Sequence, residues 1–207
     1  MLQKPYVFIV QRLRDGKKVV AKINNNLGEK HILEFLHARD PPSERIIPLL
    51  GTLSSNLGPG ILLSLRWPIQ ALVEKPGEYR GCFIQFAKDL IEGLAFIHHH
   101  GVAHRDIKPE NLVYCDALRL QIIDFDIAVQ VEGDDDLLDE DVGTDGYKAP
   151  EAMLQYGEIM PYNPLRADRW SCGRVIIIFL RCAGREHRGL QGFANKLMDD
   201  RPAAFIG

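Results

Sequence analysis

The sequence predicts an α+β fold in two unequal lobes, a small β-rich part over residues 1–67 and a larger, mainly helical part over residues 68–207. Three observations lead there. Two runs of β-formers, Tyr6–Val10 and Lys18–Ile23, flank Arg14-Asp15-Gly16-Lys17, the pattern of an antiparallel hairpin with an Asp-Gly turn. After Pro68 the apolar period becomes helical, with Phe83, Phe86, Ala87, Leu90, Ile91, Leu94 and Ile97 on one face. With 46% hydrophobic and 26% charged residues, 207 residues can bury a core.

The elements follow in order. Asn24-Asn25-Asn26 ends the second strand. Ile32, Leu33 and Leu36 then mark a helix over Glu29–His37, stopped by Pro41-Pro42. Ile46–Leu50 and Ile61–Leu65 are strand candidates, with Gly51–Gly60 as a turn-rich connection. The long amphipathic helix ends at Gly101, and His98-His99-His100 sits in its last turn. Adjacent imidazoles cannot share a helix face, so the run suits the helix dipole better than a metal. Leu112–Tyr114, Cys115–Ala117 and Leu118–Ile123 read as strand, turn and returning strand, and Arg166–Cys182 as a buried helix.

Composition narrows the function. The formal charge is −3, against a general nucleic-acid binder. The longest apolar run, Val175–Leu180, is far too short to span a membrane, and the N-terminus lacks a secretory pattern. Four cysteines without a C-x-x-C pair suit a reducing, intracellular compartment, cytoplasmic or nuclear. The charge is uneven: seven of the ten residues of Glu132–Asp141 are acidic and none is basic, leaving the remainder net basic. Such a run reads first as a solvated loop.

Residues 104–111 read His-Arg-Asp-Ile-Lys-Pro-Glu-Asn, after the long helix. This resembles the catalytic loop of eukaryotic protein kinases of the serine/threonine type. Asp124-Phe125-Asp126 looks like the family's Asp-Phe-Gly segment with aspartate for glycine. Residues 143–151, Gly-Thr-Asp-Gly-Tyr-Lys-Ala-Pro-Glu, are similar to the end of its activation segment. Asp168-Arg169-Trp170-Ser171-Cys172-Gly173 matches its D-x-W-S-x-G motif, and Val19-Val20-Ala21-Lys22 its V-A-x-K strand.

The resemblance implies a two-lobed protein-kinase-like fold that moves the γ-phosphate of ATP to Ser or Thr hydroxyls of a protein substrate, with Mg²⁺ as cofactor. Asp106 is then the base that orients and deprotonates the hydroxyl, and Lys108 contacts the transferring phosphate. Asn111 and Asp124 hold the metal, since Mg²⁺ favours oxygen ligands. Lys22 contacts the α- and β-phosphates, with Glu29 as its ion-pair partner. Thr144 is expected to bond Asp106 and Lys108, Asp168 to accept backbone N–H groups from the catalytic loop, and Arg201 to pair with Glu151. Adenine contacts are expected near Ser64–Trp67.

Three pieces depart from the pattern. No G-x-G-x-x-G precedes Lys22, Lys22 and Glu29 are only seven residues apart, and 25 residues follow Cys182 where the family has a longer helical tail. Both lobes are thus expected to be truncated, with exposed apolar faces on the larger one and a stabilising partner protein implied. The segment Asp124–Glu151 contains no Ser. Carboxylates such as Asp139 or Asp141 are therefore expected to neutralise Arg105 in place of a phosphate, while a rival reading makes the run an attractor for basic substrates. An alternative is a catalytically impaired scaffold or nucleotide-binding module. A third is a small-molecule kinase, against which the Ala-Pro-Glu segment counts.

Overall fold

The computed structural model describes residues 6–23, 27–133, 135–154 and 157–199. The small lobe runs β1 (Tyr6–Gln11), β2 (Lys18–Ile23), α1 (Gly28–His37), β3 (Leu49–Ser55) and β4 (Gly58–Ser64). The larger lobe runs β5 (Trp67–Pro68), α2 (Ile69–Glu74), α3 (Phe83–His99), β6 (Val102–Ala103), β7 (Leu112–Tyr114), β8 (Leu120–Ile122), β9 (Val129–Gln130), α4 (Pro164–Ala183) and α5 (Arg188–Asp199). This is the two-lobed α+β architecture that the resemblance implied.

The small lobe is an antiparallel sheet of order β1-β2-β4-β3. Its first turn closes as the Asp-Gly pair requires: Gly16 has φ +67° and donates its N–H to Arg12 O at 2.8 Å. Lys22 lies opposite Val7 on one side and Ile61 on the other, at the centre of the sheet. α1 buries Ile32, Leu33 and Leu36 as its period predicts, and also buries Glu29 in its first turn. One strand expectation is corrected. β3 covers Leu49–Ser55 and β4 starts at Gly58, so most of Gly51–Gly60 is hairpin rather than loop, and Ile46 makes only an isolated bridge to Ile122. Gly51 and Gly60 resemble turn residues in sequence, yet both lie within the paired strands, Gly60 opposite Leu53 and Gly51 at an irregularity in the β3–β4 register with φ 152°.

In the larger lobe, α3 buries Phe83, Phe86, Ala87, Leu90, Leu94 and Ile97. Phe83, Phe86 and Phe179 of α4 pack with ring centroids 5.5–6.4 Å apart. Burial of each such side chain stabilises by about 1.5–3 kcal/mol. The α3 helix ends where Gly101 turns left-handed at φ +67°; a Cβ there would stand 2.6 Å from Val131 O. α4 starts earlier than its apolar period indicated: Asn163 caps it by accepting the Arg166 N–H at 2.8 Å, with Pro164 as its first residue.

Two further points differ from expectation. α5 crosses α4 closely enough that a Cβ on Gly173 would lie 2.8 Å from Ala194 O. It buries Leu190 and Ala194, so α4 is covered. Exposed apolar side chains remain on the larger lobe at Leu137, Leu154 and Met160, and a further group lies on β1, where Tyr6, Val7, Phe8 and Ile9 are 43–65% exposed at the sheet edge. The returning strand β8 is shorter than Leu118–Ile123, because Leu118 takes a left-handed φ of 54° in the preceding turn. Asn24-Asn25-Asn26 and Arg201 lie outside the described residues. No helix among the described residues is long and apolar enough to cross a membrane.

Candidate active site

The hairpin β7–β8 positions the chemistry. Leu112 pairs with Ile122, and Ile123 donates its N–H to Asn111 O at 3.0 Å. This sets Asn111 and Asp124 at the same end of the hairpin. Both line a cleft of about 350 Å³ beneath β2, together with Lys22 and Glu29. The cleft walls are mainly apolar, from Val7, Val20, Leu63, Val113 and Ile123, and Ser64 and Arg66 lie at its rim. Such a slot suits a flat heterocycle above a charged floor.

Asp106 is held from three sides. Its carboxylate accepts from Lys108 Nζ at 2.7 Å, Asn111 Nδ2 at 2.9 Å and Thr144 Oγ1 at 2.7 Å. Lys108 Nζ also donates to Thr144 Oγ1 at 2.6 Å, so the expected threonine link is present. Asn111 Nδ2 donates in addition to Asp106 O at 2.9 Å. With the amide nitrogen turned to Asp106, the Asn111 carbonyl oxygen is the atom offered to a cation.

The loop is anchored from α4. Asp168 accepts the backbone N–H of His104 at 2.6 Å and of Arg105 at 2.7 Å. His98 Nε2 lies 3.1 Å from the same carboxylate. This is the positioning role expected of Asp168; the part played by His98 was not legible, because its partner is seventy residues away in sequence. His104 is fully buried, bridges to Ile123 O at 2.9 Å and packs on Phe125 at 4.8 Å. Its place at the head of the loop motif was the available signal.

Lys22 is the most crowded centre. Its ammonium lies 2.7 Å from Glu29, 2.5 Å from Asp124 and 2.9 Å from Asp126. The short connection between Lys22 and Glu29 therefore does not prevent their ion pair. Burial opposes the charge on Lys22, but Glu29, Asp124 and Asp126 outweigh it and raise its pKa. Burial pushes the Glu29 carboxyl up to about 7, against the pull of Lys22. Asp124 is also penalised by burial, yet Lys22 holds it below the usual carboxylate range. Glu29 further accepts the N–H of Phe125 at 3.1 Å, tying α1 to this segment. The left-handed residue of the segment is Asp124, at φ 67°, and not Asp126, so aspartate in place of glycine meets no positive-φ strain at 126.

The acidic run is docked rather than wholly solvated. Leu138 and Tyr162 exchange backbone hydrogen bonds at 2.9 Å. Arg105, half-buried and with a left-handed φ of 67°, donates to Ile127 O and to Glu140 Oε2, both at 2.6 Å. The neutralising carboxylate is thus Glu140, a correction to the expectation of Asp139 or Asp141. Asp141 turns to Lys148 at 2.5 Å, and Asp139 is exposed. Glu140 reaches Arg105 from the surface, its own side chain 56% exposed, two residues beyond the Leu138 bridge.

The donor set suits a hard cation. Asp124 and Asn111 offer oxygen, and no Cys or His lines the cleft among the described residues. Two lobes closing on such a cleft, with this loop and hairpin beneath it, define a protein-kinase-like domain. A protein kinase domain model matches residues 74–187. The chain belongs to the protein kinase family. It is similar to CBL-interacting protein kinase 16 of Oryza sativa subsp. japonica, 41% identical over 98 residues that make up 46% of this chain and 21% of that protein. It also resembles the serine/threonine-protein kinase grp of Drosophila melanogaster, 33% identical over 160 residues, 76% of this chain and 28% of that one. The chain thus spans about a fifth to just over a quarter of the length of these curated relatives.

Proposed function

We propose that this domain transfers the γ-phosphate of ATP to Ser or Thr hydroxyls of a protein substrate. The observation that carries the reading is the convergence of Lys22, Asn111 and Asp124 on one cleft, with Asp106 hydrogen-bonded to Asn111. Magnesium would be held by Asp124 and the Asn111 amide oxygen; when bound it neutralises phosphate charge. Lys22, backed by Glu29, contacts the α- and β-phosphates. Asp106 orients the substrate hydroxyl and accepts its proton as the new O–P bond forms and the bond from the γ-phosphorus to the ADP oxygen breaks. Lys108 stabilises the charge on the phosphoryl group in flight.

Glu140 acts in this scheme where a phosphate would otherwise be needed. By neutralising Arg105 it holds the loop that carries Asp106 against the segment that carries Thr144. The absence of Ser between Asp124 and Glu151 agrees with a segment set by its own carboxylates. Four free cysteines agree with a reducing, intracellular compartment.

The test is magnesium-dependent transfer of radiolabelled γ-phosphate to a generic Ser/Thr protein substrate by the wild type and Asp106→Ala. Loss of the base lowers the rate by about 10²- to 10⁴-fold. Equal, low rates in the two proteins would contradict the enzymatic reading and favour a scaffold.

A further inference from the structure

We propose that Asp126 closes Lys22 against nucleotide that carries no divalent cation, so that this cleft takes up nucleotide only together with the cation. The inference rests on the nucleotide-site reading above and adds to it a gate.

An ammonium has three N–H donors. On Lys22 all three are matched by carboxylate oxygens, from Glu29 at 2.7 Å, Asp124 at 2.5 Å and Asp126 at 2.9 Å. No donor remains for a phosphate until a carboxylate leaves. Asp124 leaves readily in this scheme, because it is a metal ligand. Glu29 stays, since its side chain is only 3% exposed and it also holds the N–H of Phe125. Asp126 is the additional competitor, two residues beyond Asp124 on the same short segment.

Charge makes the gate selective. Three carboxyl groups share one ammonium at a site where the Lys22 side chain is 8% exposed, and even with the pKa of Glu29 raised to about 7 the carboxylates outnumber the cation they share. Like charges repel strongly where water is scarce. Free ADP or ATP would add its own negative charge to that surplus. A divalent cation cancels the surplus, draws Asp124 off Lys22 and leaves the ammonium for the phosphates. With asparagine at 126 one negative charge is removed from Lys22 without any metal, and with glycine one of its donors is freed as well.

The experiment titrates N-methylanthraniloyl-ADP into the wild type, Asp126→Asn and Asp126→Glu, each in EDTA and across millimolar magnesium. In EDTA the Asn variant should bind about tenfold more tightly than wild type or better, its magnesium dependence should flatten, and the Glu variant should track wild type. Nucleotide bound only by the Asn variant in EDTA would support the gate in its strongest form. If Asn at 126 prevents folding, Asp126→Gly carries the same comparison. Equal affinities of wild type and the Asn variant in EDTA, with both binding in magnesium, would overturn the gate and leave the nucleotide site standing. Affinity of the wild type that ignores magnesium would overturn it without any variant. Absence of nucleotide binding in every protein at every magnesium level would overturn both.

Discussion

Two buried charged centres, Asp89 in the larger lobe and Lys22 in the cleft, are built in opposite ways. Asp89 is one carboxylate served by an excess of donors. Arg119 approaches it at 2.7 Å, Leu120 N at 2.9 Å, Gln85 at 2.9 Å and Arg45 at 3.6 Å. Lys22 is one cation among three carboxylates. The first is matched within the chain and ties α3 to β8. At the second, three carboxyl groups share one ammonium. A matched centre holds the fold; a centre rich in carboxylates suits the cation site proposed above.

The comparison can be broken at its matched end first. Asp89→Asn should lower the free energy of unfolding by about 3–5 kcal/mol, because it strands buried donors and cations, whereas Asp126→Asn should leave it unchanged or raise it within about 1 kcal/mol. Urea unfolding of both variants measures the contrast. Proton linkage adds a sign. Burial raises the pKa of Asp89, but Arg119, Leu120 N, Gln85 and Arg45 outweigh it and the net shift is downward. A depressed carboxylate contributes stability above its unfolded value, ~3.9, and loses it as pH falls through the lower, folded value. Wild-type stability should therefore decline steeply on acidification below about pH 4, and in Asp89→Asn this part of the decline should be absent. A smaller effect belongs to the half-exposed clamp at Arg105. Glu140→Gln should reduce kcat by about two- to fivefold, with KM for ATP held and the loss shrinking at high salt. An unchanged kcat would show that Glu140 is ornamental to the loop.

Much of this was legible in the sequence because it is local. The Asp-Gly hairpin, the period of α3 and the loop motif at 104–111 each announce themselves within a few residues. Asn111 and Asp124 could be brought together on paper because a short hairpin joins them. What escaped depends on partners far apart in the chain or on alternation set elsewhere. His98 meets Asp168 across the α3–α4 packing, and Asp89 meets Arg119 thirty residues on. Glu140 rather than either neighbour meets Arg105, a pairing across thirty-five residues that depends on where the Leu138–Tyr162 bridge docks the run. Asp126 read as a lost glycine; only the folded segment shows its carboxylate on Lys22. α5 went unread because its amphipathic face is short and carries only Leu190 and Ala194 as buried residues.

The central claim is that Asp124 and Asn111 hold a divalent cation against a nucleotide triphosphate beside Lys22. Electron paramagnetic resonance of Mn²⁺ tests it most directly, with a non-hydrolysable ATP analogue and either the wild type or Asp124→Asn. The account predicts an immobilised Mn²⁺ signal in the wild type that requires the nucleotide for full strength and weakens at least about tenfold in the variant, as the loss of a charged ligand demands. An identical immobilised signal in both proteins would contradict it.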